Sequence, residues 1–219
     1  MEERGKHIEG FLKPEMVEFL VNYINLSKRV SKTSNTNKYL EGDGQSPDAK
    51  FVSYGDIGLD NLFKTHLPKI QDAWDNKLYP AYTYTRLYNK GKGLSMHRDR
   101  IASDVTCSVK LDGTPWPFTV MTENPMSSTD YVIDIGDALV FNGNKYTHGH
   151  PQETTEDQLH LLMICTEYED QLYDKRPHLG LPPETREGKP NHDYKDQYYG
   201  HDPETNFLET YRIKNDPIA

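Results

Sequence analysis

The N-terminal part of the chain carries apolar residues at helical spacing, separated by a polar stretch. The spacing over 14–28 predicts an amphipathic helix with Pro14 in its first turn. Residues 31–50 are rich in Ser, Thr, Asn, Gly and Asp and predict a loop. A second apolar set over 59–74 predicts another helix, which we expect Pro68 to break or kink.

From Ala81 the apolar period changes to two, which is typical of strands. The alternation places Tyr82, Tyr84, Arg86 and Tyr88 on one face and Ala81, Thr83, Thr85 and Leu87 on the other. Further strands, between turns that contain Gly or Pro, are predicted at Val105–Leu111, Pro117–Thr122, Tyr131–Ile135, Ala138–Asn142, Lys145–His150 and Gln158–Glu167. The fold class is therefore α+β and mainly β, a sandwich or jelly roll preceded by helices.

The periodic pattern ends near Tyr168. Residues 169–219 are rich in proline, tyrosine and charged residues and have no sustained period. We expect one domain over 1–168, with 169–219 as an irregular extension that wraps around it, covers it as a lid or is partly disordered. Tyr198 and Tyr199 are candidates for a lid, and packing on their own domain is the alternative.

Composition and charge narrow the classes of function. The 219 residues fit one domain, and 25 Lys and Arg against 34 Asp and Glu give a net charge of −9, which disfavours binding to nucleic acid. Cys107 and Cys165 lie in predicted strands among apolar neighbours, so we expect buried free thiols and a reducing compartment. No signal peptide or apolar span is apparent, which predicts a cytoplasmic protein without a membrane segment.

A candidate metal motif lies at His97-Arg98-Asp99. On an extended segment His97 and Asp99 leave the same face, and a second imidazole is available at His148 or His150. Two imidazoles and one carboxylate leave metal positions open, which is the ligand set of non-haem Fe(II) enzymes that use oxygen. Because His148 and His150 would share a face of one strand, alternation alone does not choose between them.

The chain resembles the Fe(II)- and 2-oxoglutarate-dependent dioxygenases of the prolyl-4-hydroxylase-like group. The resemblance covers about residues 81–167 and rests on the runs Arg86–Asp99 and Asp137–Phe141 and on His148. It implies a double-stranded β-helix, or jelly roll, with N-terminal helices packed against it. It also implies that His97, Asp99 and His148 bind the metal, since His148 has the family's offset from Phe141 and His150 does not.

The resemblance further implies 2-oxoglutarate as co-substrate, with a basic residue holding its far carboxylate. The family's usual position for that residue is Gln158 here, which can donate a hydrogen bond but brings no charge. In asparaginyl hydroxylases similar to this group a strand lysine takes the carboxylate, and Lys110 is the corresponding candidate, with Arg86 next. A solvated strand lysine is the alternative for Lys110. Tyr88 is similar to a tyrosine that lines the 2-oxoglutarate site, or is an ordinary core tyrosine.

The activity implied by the resemblance is hydroxylation of an unactivated C–H bond with O2, giving succinate and CO2. We expect a peptidyl residue such as proline as the substrate, with a free amino acid or small metabolite as the alternative. A cupin-like metal-binding protein that does not use 2-oxoglutarate is the other class left open. Trp116, in a proline-rich turn, either borders the active site or packs in the core.

Overall fold

The computed structural model describes residues 4–34, 39–40, 46, 48–49, 51–54, 56–99, 103–121 and 127–167. Within them the helices are α1 (Pro14–Ser34) and α2 (Ile57–Asp72). The strands are β1 (Gly5–Ile8), β2 (Tyr39–Leu40), β3 (Phe51–Tyr54), β4 (Tyr79–Tyr88), β5 (Leu94–His97), β6 (Val105–Asp112), β7 (Phe118–Met121), β8 (Ser128–Tyr131), β9 (Ala138–Asn142), β10 (His148–His150) and β11 (Gln158–Thr166).

The strands form two antiparallel sheets. The large sheet has seven strands in the order β1-β9-β6-β11-β4-β3-β2, and the small sheet has four in the order β5-β10-β7-β8. Phe118 and Val120 of the small sheet pack against Leu139 and Phe141 of the large one, so the sheets face each other. The mainly β, α+β fold class predicted from the sequence is confirmed.

The two faces of the large sheet differ in polarity. On its outer face Val105, Cys107, Val109 and Leu111 of β6 pack with the apolar sides of both helices. Each such buried side chain contributes about 1.5–3 kcal/mol to folding. The intervening residues of β6 (Thr106, Ser108 and Lys110) are also buried and point to the space between the sheets. The polar stripe predicted on this strand therefore faces the interior and not water.

The helices differ from their predicted bounds. α1 continues to Ser34, beyond the predicted end, and β2 lies inside the segment predicted as a loop over 31–50. α2 begins after Asp56, whose side chain accepts from the amides of Gly58 and Leu59. Pro68 does not break α2, which runs on to Asp72. Burial of its apolar side outweighs the one backbone hydrogen bond that proline removes.

Two strand predictions were wrong in extent. The strand predicted at Tyr131–Ile135 shares only Tyr131 with β8 (Ser128–Tyr131), and Val132 and Ile135 beyond it are about half exposed. Of the strand predicted at Lys145–His150, only His148–His150 pairs. The preceding residues form a turn because the amides of Lys145 and Tyr146 both bond back to Asn142.

Three further predictions concern the cysteines, membrane segments and the C-terminal extension. Cys107 and Cys165 are free and fully buried, as predicted. No helix in the described part of the chain is long and apolar enough to cross a membrane. The segment 169–219, with Tyr198 and Tyr199, lies outside the described residues.

Candidate metal centre

Three side chains converge at the edge of the small sheet. His97 on β5 lies directly opposite His148 on β10, and Asp99 follows β5 by two residues. Nε2 of His97 is 3.6 Å from Oδ1 of Asp99, and Nε2 of His148 is 3.7 Å from the same oxygen. Among the described residues these three have ligand atoms close enough to hold one metal ion, all within 4.8 Å of one another. We call His97, Asp99 and His148 the metal-ligand group.

Backbone carbonyls set the orientation of both imidazoles. Nδ1 of His97 is 2.7 Å from the carbonyl oxygen of Ser95, and Nδ1 of His148 is 2.9 Å from that of Tyr146. A carbonyl only accepts, so each Nδ1 carries the proton and donates. Each Nε2 therefore faces Asp99 and is the ring nitrogen that is available to a metal.

The Asp99 carboxylate is held by a hydroxyl from the large sheet. Thr106 on β6 donates to Oδ2 of Asp99 at 2.8 Å, which leaves Oδ1 facing the two imidazoles. Burial by itself raises the pKa of Asp99, but His148 and His97 outweigh it and hold that pKa well below its ordinary value. The carboxylate is therefore ionised, as a metal ligand must be.

A tight turn at Gly143 supports Asp99 from the other side. The amide of Asp99 donates to the carbonyl of Gly143 at 2.9 Å, and the amide of Gly143 donates to the carbonyl of Asp104 at 3.0 Å. The Asp104 carboxylate in turn accepts from the Thr166 hydroxyl and the Glu167 amide. A Cβ at Gly143 would lie 2.2 Å from Oδ2 of Asp99, so a larger residue would displace the carboxylate.

Gly143→Ala is accordingly expected to weaken Fe(II) binding. We expect a loss of about 10- to 100-fold, the range found when the support of a metal ligand is disturbed. Anaerobic calorimetry with Fe(II), or with Co(II) as a stable substitute, measures it. Gly10→Ala is the control, because a Cβ at Gly10 meets nothing within 4 Å and its backbone strain affects stability alone. Unchanged metal affinity in Gly143→Ala would contradict the role given to this turn.

His150, the alternative third ligand, is used elsewhere. The β5–β10 register shifts between His148 and His150, so His150 pairs with Leu94. Its Nδ1 lies 2.7 Å from the carbonyl of Pro117, and its ring stacks on Trp116 at 3.5 Å and 7°. His150 is therefore outside the metal-ligand group, and Trp116 is a buried side chain packed beside it.

Three basic residues lie in register across the inner face of the large sheet. His160 on β11 lies opposite Lys110 on β6 and opposite Arg86 on β4. All three are buried, with exposed fractions of 3–4%. We call Arg86, His160 and Lys110 the basic row. On its side toward the small sheet lies His150, which is two residues from His148 on β10 and whose ring centroid is 5.6 Å from that of His160.

Lys110 is a buried cation without an acidic partner. Its Nζ donates to the carbonyl of Thr114 at 2.6 Å, and no carboxylate of the described residues lies within ion-pair distance. Burial lowers the pKa of Lys110, against an opposing effect of Asp134 and Asp112. A solvated lysine is excluded by an exposed fraction of 3%. Because an unpaired buried charge is costly, the position is suited to an anionic ligand.

Comparison with known proteins gave matches in structure alone. No family model and no curated protein sequence matches the chain. A Pseudomonas putida prolyl-4-hydroxylase superposes with TM-score 0.53 and 14% identity over 75% of this chain and 93% of that one. The non-haem alpha-ketoglutarate-dependent epimerase SnoN from nogalamycin biosynthesis gives TM-score 0.56 and 12% identity over 75% and 78%. HygX from Streptomyces hygroscopicus, solved with nickel and 2-oxoglutarate bound, gives 0.52 and 14% over 81% and 89%.

The chain has the fold of the 2-oxoglutarate-dependent Fe(II) oxygenases. The jelly roll implied by the resemblance in sequence is thereby confirmed. In this oxygenase fold the metal-ligand group lies on the small sheet and the basic row lies on the large sheet.

Gln158, which the resemblance in sequence places where the prolyl-4-hydroxylase-like group usually has a basic residue, makes its hydrogen bonds to the loops around it. It is fully buried, and Nε2 donates to the hydroxyls of Thr154 at 2.9 Å and Thr114 at 3.2 Å. Both amide protons are therefore used, and none is left for a carboxylate. Arg86 and Tyr88, the other two residues predicted to line a 2-oxoglutarate site, contact each other, since Arg86 donates to the Tyr88 hydroxyl at 3.1 Å.

Sequence reasoning missed His160 and the support of Asp99. A signal for His160 was present: strand alternation places it on the same face as Gln158, and it is a polar residue between apolar ones. The contacts of Asp104 and Gly143 join segments far apart in the chain and leave no local pattern.

Proposed function

We propose that the protein is an Fe(II)- and 2-oxoglutarate-dependent oxygenase in which His97, Asp99 and His148 hold the iron and Lys110 binds the far carboxylate of 2-oxoglutarate. One observation carries the proposal: three side chains that could hold one metal ion lie on one sheet, and the facing sheet carries a buried ammonium that has no ion-pair partner among the described residues. When bound, iron and 2-oxoglutarate supply the O2-dependent oxidation of a C–H bond, with succinate and CO2 as products.

The residues present fit both groups. Two imidazoles and one carboxylate are the donor set that suits Fe(II) with open positions. A buried ammonium suits a carboxylate, because the charged hydrogen bond compensates both burial costs. Arg86 adds a second positive charge in the basic row, and Tyr88 adds a hydroxyl beside it.

The protein's own part is to orient these groups and to keep water away. The rings of Phe118 and Phe141 lie 5.6 and 4.7 Å from the ring of His148, and Trp116 meets Tyr88 edge-on at 5.0 Å. This apolar lining lowers the local dielectric constant, which strengthens the attraction between Lys110 and a carboxylate. It also protects reactive species from side reactions with water.

For the reaction and substrate we propose hydroxylation of a peptidyl residue such as proline. The resemblance to prolyl hydroxylases and the structural similarity to the Pseudomonas putida prolyl-4-hydroxylase support this choice. A free amino acid or small metabolite is the alternative, and succinate release over peptide, amino-acid and metabolite panels distinguishes them. A cupin-like metal binder that does not use 2-oxoglutarate would supply no carboxylate to offset the cost of burying Lys110.

Anaerobic spectroscopy tests the co-substrate directly. Addition of 2-oxoglutarate to the Fe(II)-loaded protein is expected to produce the visible charge-transfer absorption of the chelate, because three protein ligands would leave positions at the iron free for the 2-oxo acid. His97→Ala, which lacks one ligand, is the control and should give no band. A wild-type protein that holds iron but develops no band would refute the proposal.

A further inference from the structure

His160 is a buried imidazole at the centre of the basic row. The rings of Tyr88, Trp116 and His150 surround it edge-on, at centroid distances of 5.7, 6.1 and 5.6 Å. Its Nδ1 lies 3.5 Å from the Ser108 hydroxyl, whereas its Nε2 is buried and has no hydrogen-bond partner among the described residues. Buried polar atoms are rarely left unpaired, because the cost of removing them from water is then uncompensated. The orphaned Nε2 therefore indicates a ligand.

Burial and the surrounding charges determine the protonation state of the His160 ring. Lys110 faces it from β6, Arg86 and Tyr88 face it from β4, and His150 faces it from β10. Burial, followed by the positive charges of Lys110 and Arg86, lowers the pKa of His160 to about 3. The imidazole is therefore neutral at physiological pH and carries a single N–H.

We propose that His160 donates a hydrogen bond from Nε2 to the far carboxylate of 2-oxoglutarate, beside the ammonium of Lys110; this inference rests on the proposed function. A carboxylate only accepts, so it requires the proton on Nε2, and the Ser108 hydroxyl supports that tautomer by donating to Nδ1. A neutral donor adds a directional contact without increasing the repulsion in a row that already holds two cations. His160 thereby helps to select a 2-oxo acid with a carboxylate at its far end.

The test compares two ligands in variants of the full-length, Fe(II)-loaded protein under anaerobic conditions. His160→Leu is expected to raise the Kd for 2-oxoglutarate about 10- to 100-fold, the effect of losing one hydrogen bond to a charged group. His160→Gln, whose amide nitrogen takes the place of Nε2, is expected to restore it to within about threefold. 2-Oxopentanoate has the same oxo acid end and a methyl group in place of the far carboxylate, so its Kd should not differ between wild type and His160→Leu. The absorption of the chelate and calorimetry provide the readout.

Three results would overturn the inference. The first is a Kd for 2-oxoglutarate in His160→Leu that equals the wild-type value, and the second is a rise that 2-oxopentanoate shows equally. The third is a ratio of the His160→Leu to wild-type Kd that decreases as the pH rises from about 6 to about 8, since a constant ratio is expected of a neutral imidazole over the usual histidine range. Iron-loaded wild type that binds neither 2-oxo acid would instead refute the proposed function, and this inference with it.

Discussion

His148→Ala is expected to reduce the affinity for Fe(II) by more than about 100-fold. This loss exceeds the roughly 10- to 100-fold that is typical when a residue supporting a metal ligand is changed. The substitution removes one of the two imidazoles whose Nε2 faces Asp99, and leaves two ligands for the metal. Anaerobic calorimetry with Fe(II) or Co(II) measures the loss. Turnover should disappear in parallel, because the oxidation depends on the metal.

His150→Phe is the matched control for this prediction. The phenyl ring preserves the stack on Trp116, and the position contributes no ligand atom to the metal group. Metal affinity should therefore stay within about threefold of wild type. If His150→Phe lost the metal and His148→Ala kept it, the assignment of the third ligand would be reversed.

Lys110→Met is expected to raise the Kd for 2-oxoglutarate by about 100-fold or more, as is typical when one partner of a buried charged pair is removed. Methionine keeps much of the length of the side chain and removes the charge. Affinity for Fe(II) should not change, because Lys110 contacts none of the three metal ligands. Chelate absorption measures the first quantity and calorimetry the second.

Stability distinguishes a ligand-binding role of Lys110 from a structural one. The side chain of Lys110 makes one hydrogen bond, to the Thr114 carbonyl, and has no ion pair with a carboxylate of the described residues. The free energy of unfolding of the ligand-free protein should therefore fall by no more than about 1 kcal/mol in Lys110→Met, since relief of the charge offsets the lost bond. Strong destabilisation with an unchanged Kd would show that the lysine serves the fold instead.

Period and residue type were sufficient to predict much of the fold. Alternation placed Tyr88 and Arg86 on one face of β4, and those side chains do point between the sheets. Ala138–Asn142 was predicted with its observed bounds, because a continuous apolar run is buried on both sides. The exposed apolar residues after Tyr131 misled the same reasoning, since hydrophobic residues on the surface are common and carry no positional information.

The sequence predicted part of the clustering of His97, Asp99 and His148, and their role as metal ligands stays a prediction. His97 and Asp99 are local in sequence, so their common face follows from strand geometry. The preference for His148 over His150 depended on the resemblance. The register shift in β10 that separates the two histidines has no signature in a short polar run. The basic row unites three strands distant in sequence, and its register becomes visible only when the sheet is assembled.

The support of Asp99 links the metal site to the end of the last described strand. Asp104 accepts from the Glu167 amide through its side chain and from the Gly143 amide through its carbonyl, and Gly143 in turn holds Asp99. Coupling of this kind is reciprocal. Anything that fixes Asp99 in place should also stabilise the hydrogen bond of the Glu167 amide. Metal binding is therefore expected to slow hydrogen exchange at that amide, although it is remote from the metal ligands.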